Sequence, residues 1–141
     1  MPLHTYSPAD HVVNFQGFEL SGFADGTFID AAMDSPGVTD VAGADGEVAR
    51  AASADERGKV VLTLLQTSAS NDVLTARHAL DKLTKLGVGP IFVKDLRGTT
   101  TVQGAEAWIE KYADISLSKE VQGREWTFRV AHMQPIVGGN L

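Results

Sequence analysis

Four histidines and eighteen carboxylates are the groups in this chain with chemistry to offer, and their spacing decides what kind. His4, His11, His78 and His132 stand far apart, and none has a second His or Cys at metal-ligand spacing. With no cysteine, disulfides, thiol nucleophiles and zinc sites of the cysteine type are excluded. Asp40 to Asp45-Gly46 has the outline of a calcium loop, but Ala42 and Ala44 stand where oxygen ligands are needed. Asp55-Glu56 brings two carboxylates together without the arrangement of a glycosidase pair. Gly87-Val88-Gly89 lacks a third glycine and follows a helical pattern instead of a strand, which rules out a dinucleotide fingerprint. Neither a nucleophile elbow nor a Walker loop occurs. We expect no enzyme, no cofactor and no metal.

The remaining chemistry of the carboxylates is fixed charge. Residues 1–49 contain no Lys or Arg and eight acids: Asp10, Glu19, Asp25, Asp30, Asp34, Asp40, Asp45 and Glu47. From Arg50 onward twelve bases face ten acids, so the formal charge of −6 is concentrated in the first third. A surface built from that third repels nucleic acid and anionic membranes. It reads either as a solvated face that aids solubility or as a wall with a task. The bases are dispersed, and the pair Lys82 and Lys85 is what a helix C-terminus uses anyway, so a phosphate-gripping protein is not expected.

Those charges must be carried by a folded body. A hydrophobic content of 43% and charged content of 21% over 141 residues suit one globular domain over residues 1–141. No apolar run approaches the roughly 18 residues of a membrane span, and Met1–Thr5 lacks the regions of a secretory signal. The expected setting is soluble and cytoplasmic.

Short β-type segments with turn signals dominate. His11–Phe15 and Phe18–Leu20 flank Gln16-Gly17 as a hairpin, and Asp25-Gly26 turns into Thr27–Ile29. Lys59–Gln66 is apolar on both faces and is expected to be a central strand. Ile91–Leu96 and Thr99–Gln103 flank Arg97-Gly98. A helical turn is expected around Glu106–Lys111, then a strand pair Ala113–Ser118 and Glu125–His132, where Trp126, Phe128 and Val130 alternate with polar residues. The tail Val137–Leu141 is expected to be loose.

One helix interrupts the strands, over residues 71–86. Ser70 or Asn71 caps it, Asp72 lies in its first turn, and Gly87 is its left-handed terminator. Val73, Ala76, Ala79, Leu80, Leu83 and Leu86 form an apolar stripe that should pack on a sheet, with His78 on the polar side. Asp81 and Lys85 are spaced to pair.

Residues 37–57 differ from the rest: rich in Gly, Ala and Asp, with no aromatic residue, and a second Asp-Gly, Asp45-Gly46, between Val38–Ala42 and Glu47–Arg50. Such a long hairpin is either a mobile surface loop or an arm ordered against a neighbouring subunit.

Gly43-Ala44-Asp45-Gly46-Glu47-Val48, followed by Ser53–Asp55, Gly58, Val61–Ser68 and Asn71–Leu74, resembles the small tail-tube proteins of contractile-tailed bacteriophages. Ser21–Ile29 is similar to the same family's early hairpin, and the likeness runs from about residue 10 to about residue 135. The resemblance implies a mostly β fold of two packed antiparallel sheets, a β-sandwich or barrel, with one flanking helix. It also implies hexameric rings stacked into a hollow tube, in the virion tail and assembled in the host cytoplasm, through which DNA passes on ejection. Its implied partners are further copies of itself, a sheath protein outside, a tape measure protein and passing DNA inside, and baseplate and terminator proteins, with no membrane. The helix would face outward towards the sheath. Val41, Asp45, Gly46, Glu47, Arg50, Asp55, Glu56 and Arg57 are the candidate residues of an arm to the next ring.

A conduit must not hold its cargo, so acids and not bases belong on a lumen wall. Asp25, Asp30, Asp40 and Glu47 are the leading candidates. Three other readings stand beside the tube at this point. One is a subunit of a type VI secretion system or tail-like bacteriocin. Another is a monomeric small-ligand β-barrel with residues 37–57 as a lid. The third is an acidic adaptor.

Overall fold

The structure is a computed structural model and describes residues 3–140. In chain order its elements are β1 (His11–Phe15), β2 (Phe18–Glu19), β3 (Ile29–Met33), β4 (Val38–Ala42), β5 (Val48–Ala52), β6 (Gly58–Leu65), α1 (Ser70–Thr84), β7 (Gly89–Asp95), β8 (Thr101–Lys111), β9 (Gly123–Val130) and β10 (Gln134–Ile136). β6 is a strand as expected, but it lies one place in from the β3 edge of the large sheet, and only one of its two apolar faces is buried: Val61 and Thr63 on the other are half-buried and Leu65 is exposed. β3 pairs along one edge of β6 and β9 along the other, both antiparallel, and Val60, Leu62 and Leu64 have no exposed surface. β9 meets it with Trp126, Phe128 and Val130, the alternation expected of a half-buried strand. The large sheet runs β2-β1-β7-β8-β9-β6-β3, and β10 lies along the first residues of β8. β4 and β5 form a second, two-stranded sheet. A mostly β fold of two antiparallel sheets and one helix is therefore what this chain forms.

The large sheet curls on itself. β1 and β9 are three places apart, about 14 Å in a flat sheet, yet the rings of Phe15 and Phe128 meet at 4.9 Å. His11 at the start of β1 touches Phe28, just before β3 at the far edge, at 5.6 Å. Curling encloses one core that includes Val13, Leu62, Ile91, Ile109 and Phe128. Gln16 and Gly17, both with positive φ, turn β1 into β2 as expected.

Three local expectations are corrected. Residues 106–111 are the second half of β8, because Ala107 and Ile109 point inward with the period of a strand. Residues 113–118 form no strand: β8 and β6 already occupy both edges of β9. Nor is the tail loose up to Asn140, since Thr99 N donates to Gly139 O and Asn140 bridges to Gly98; Leu141 lies outside the described residues.

The helix is real but rotated. Its N-cap is Ala69 with no side-chain capping bond, and its left-handed C-cap is Lys85, at φ 63°, instead of Gly87. Asp81 does not pair with Lys85; its Oδ1 accepts Gly87 N at 3.1 Å. Ser70 Oγ accepts Ser21 N at 3.0 Å, and Asn71 Oδ1 accepts Trp126 Nε1 at 2.9 Å. These polar anchors set the helix rotation, so Ser70, Leu74 and His78 face the sheet. The stripe expected to pack there turns outward: Leu80 is 41% exposed, Leu83 83% and Leu86 77%.

His78, expected on the polar side, is buried edge-on against Tyr112, 4.5 Å between ring centroids. Burial, helped by the charge of Lys82 and opposed by Asp81, pushes its pKa down. The folded state therefore holds a neutral imidazole more readily than the unfolded chain does. The stability this lends is full above the ordinary value of about 6.5 and is lost as pH falls below it.

Two outcomes follow from this packing. In urea unfolding, Leu74→Ala should lower stability by about 3 kcal/mol, whereas Leu83→Ala should change it by less than about 0.5 kcal/mol. Melting temperature should fall between pH 7 and pH 5 (on the order of the histidine titration range), and His78→Phe should flatten that slope.

Candidate functional site

All ten strand residues of the β4–β5 arm are exposed, so it buries nothing in the rest of its own chain. Its tip is a designed turn: Gly43 N donates to Glu47 O at 2.7 Å, Glu47 N donates to Asp45 Oδ1 at 3.1 Å, and Gly46 takes φ 89°. Register sets the two faces. Asp40 lies opposite Arg50 and Ala42 opposite Val48 on one; Thr39 lies opposite Ala51 and Val41 opposite Ala49 on the other, which carries no charge. A two-stranded ribbon is marginal alone in water, so this one needs a fastening.

The fastening is ionic. Arg129 holds Asp34 with both terminal nitrogens, one at 2.9 Å from Oδ1, and Arg57 Nε stands 4.0 Å from the same carboxylate. Arg57 also forks onto Asp55, at 2.9 and 3.1 Å, and Ser35 Oγ donates to Asp55 at 3.0 Å. Asp34 N donates to Arg57 O and Ser53 N to Gly37 O, closing the root with backbone bonds. The Arg129 bonds hold Asp34 below the usual carboxylate range, and the Arg57 bonds hold Asp55 well below it. Of the candidate arm residues, Asp55 and Arg57 therefore clamp the root, and Glu56 stands 3.6 Å from His132. Val41, Asp45, Gly46, Glu47 and Arg50 lie on the free part. Asp34 and Arg129 were missed in the sequence; 95 positions apart, they give no local signal.

The four candidate lumen acids do not share one patch. Asp25 is exposed in the turn before β3, and Asp30 points outward from β3 beside Val61 and Thr127. Asp40 and Glu47 ride on the arm. Glu125, on β9 opposite Thr63, adds an acid to the outward face that holds Asp30, and spacing did not single it out.

The arm and the helix leave the body at opposite ends of β6. The root lies by Gly58, Val130 and Met33, whereas α1 follows Leu65 and touches Trp126 and Tyr112. Between β3, β8 and β10, at the arm end, an open apolar cleft of about 620 Å³ is lined by Tyr6, Phe28, Met33, Val102 and Ile136 among others. None of its lining comes from residues 37–57, so the lid of a small-ligand barrel is not formed there. Among the described residues no group of His, Asp and Glu is placed to hold a metal, and no helix is long and apolar enough to cross a membrane.

The profile of a family described as Bacteriophage PhiTE tail tube protein matches residues 14–138. The curated protein "Structural protein ORF10" of Pseudomonas phage KPP10 is 26% identical over 144 residues, spanning 96% of this chain and 83% of that protein. Among solved structures, the tube-terminating cap of the anti-feeding prophage aligns over 100% of this chain and 95% of its own, with a TM-score of 0.66 and 8% identity. The sheath/tube terminator of an extracellular contractile injection system, PVC, in its extended state aligns over 94% of this chain and 98% of its own, with a TM-score of 0.60 and 13% identity. These two share the fold.

The root clamp can be tested by hydrogen exchange. Asp34→Asn should speed exchange at the Ser53 amide and at residue 34 while leaving Leu62 protected. Lowered carboxylate pKa values contribute stability that is full above about 3.8 and lost as pH falls through the folded values, so acid below about pH 4 should reduce the same protection factors in the parent chain.

Proposed function

This chain belongs to the Bacteriophage PhiTE tail tube protein family, and from that premise we propose that it forms hexameric rings that stack into the tail tube and conduct DNA into the host. Family membership makes it a structural protein of the phage particle and not an enzyme. The observation that carries the finer reading is the arm: ten exposed strand residues, fastened at the root, with no work to do in a lone subunit. Stacking gives them a surface to bury. Closing the large sheet edge to edge around a ring also removes the open edge of β3, which among the described residues pairs only with β6.

In this reading Asp25 and Asp30, carried on the body, supply lumen charge that keeps DNA from adhering. Asp40 is offset by Arg50 across the ribbon, and Glu47 at the arm tip serves the ring-to-ring contact. A sheath protein outside, a tape measure protein inside, and baseplate and terminator proteins at the ends complete the assembly.

A second reading has its own support. The two solved structures named above end a tube instead of repeating along it, so in this reading the chain would form a terminator ring. Likeness at such identity speaks only for the fold, and the family profile favours the repeating subunit.

Electron microscopy of the purified chain separates the two. Long six-fold tubes are expected, with Asp25 and Asp30 facing the channel, and replacing residues 39–51 by a short Gly-Ser link should leave rings that no longer stack. Rings that never stack in the parent chain would favour the terminator. A chain that stays monomeric at high concentration, or carboxylates lying on the outer surface, would overturn the reading.

A further inference from the structure

We propose that the outward apolar stripe of α1 is the seat for the β4–β5 arm of a second copy, so that the arm end of one ring grips the helix end of the next. The inference rests on the tube reading and names the surface that receives the arm.

The stripe is the feature that sequence periodicity singled out and the monomer leaves unused. Leu80 and Leu83 lie on α1, where Ser70 and Asn71 fix the rotation that turns them to solvent, and the exposed Leu86 follows just past the left-handed Lys85. An exposed row of leucines on a folded subunit marks a contact surface. Two exposed bases stand beside it and form no ion pair among the described residues: Lys85, whose Nζ donates to Lys82 O, and Lys82, whose Nζ lies 5.5 Å from the Tyr112 ring on the inward-facing side.

The arm complements that surface in charge and in shape. Arg50 is its sole base between Val38 and Ala52 and lies opposite Asp40, which leaves Asp45 and Glu47 at the tip as its free charges. Its charge-free face offers Thr39, Val41, Ala49 and Ala51, small side chains that fit between leucines. Five-residue strands extend about 17 Å, and the 15 residues of α1, which carry Leu80 and Leu83 in the second half, extend about 22 Å. Apolar ribbon would lie on apolar stripe, with the acidic tip among the lysines.

Position favours the same pairing. Arm and helix occupy opposite ends of β6, so a shift along the strand direction brings the arm of one copy to the helix of another. Contact between two unlike surfaces does not close, and it propagates as a stack. The apolar cleft competes for the arm, but it opens at the arm's own end and carries no Lys or Arg in its lining.

The absence of cysteine makes the test clean. Val41→Cys and Leu83→Cys chains are mixed, assembled without any sheath protein and oxidised; a disulfide joining unlike copies is expected. Val41→Cys mixed with Met33→Cys, a cleft position, should give none. In parallel, Lys82→Glu with Lys85→Glu should raise the concentration needed for assembly about tenfold, with circular dichroism unchanged, and adding Glu47→Lys should restore part of it. Tubes that form while Val41→Cys bonds to Met33→Cys, or ignores Leu83→Cys, overturn this inference alone. A parent chain that never assembles overturns the tube reading and this inference with it.

Discussion

Burial along β6 is the constraint on which the molecule depends. Val60, Leu62 and Leu64 lose all contact with water only if β3 and β9 pair on both edges and the sheet folds over them. Three such side chains contribute several kcal/mol, on the order of 2 kcal/mol each, which makes this the region least willing to open. The two features with outward business are attached to its ends: the arm enters through Gly58 and the helix leaves after Leu65. A rigid strand thus holds two exposed surfaces at a fixed separation, and neither surface takes part in the core.

Legibility in the sequence followed the same division. β6 and β9 were readable because local alternation and burial agree, and both hairpins were readable from Gln16-Gly17 and Asp45-Gly46 because turn chemistry is local. The existence of the helix was equally plain. Its rotation was not, because periodicity reports that a helix has an apolar side without reporting which body meets it. Hydrogen bonds that Ser70 and Asn71 accept from the distant Ser21 and Trp126 made that choice, and His78 went inward as a consequence. Residues 106–111 were misread for a related reason: Glu106, Trp108 and Glu110 mix charge and bulk in a way that suits a helix, and only pairing with β9 selects the strand. The root clamp joins residues from far-separated parts of the chain and leaves no trace in spacing.

The base-free first third also changes meaning in three dimensions. Asp10 pairs with Arg97, and Asp34 with Arg129 and Arg57, so bases from later in the chain neutralise part of it. Asp40 faces Arg50. Glu19, Asp25, Asp30, Asp45 and Glu47 retain no cationic partner among the described residues, and they divide between body and arm. A charge asymmetry that looks uniform along the chain is therefore two separate features, one on the body and one on the arm tip.

The ionic root of the arm has a consequence for a particle that leaves its host. Arg57 and the pairs it joins are partly open to solvent, so counter-ions weaken them. Screening reaches about 8 Å at cellular ionic strength and about 30 Å in dilute water. Release from a lysed cell into fresh water would thus tighten the hinge of every arm. Concentrated brine would slacken it while leaving the hydrophobic interior of the subunit unharmed, so the arm would loosen before the body that carries it does.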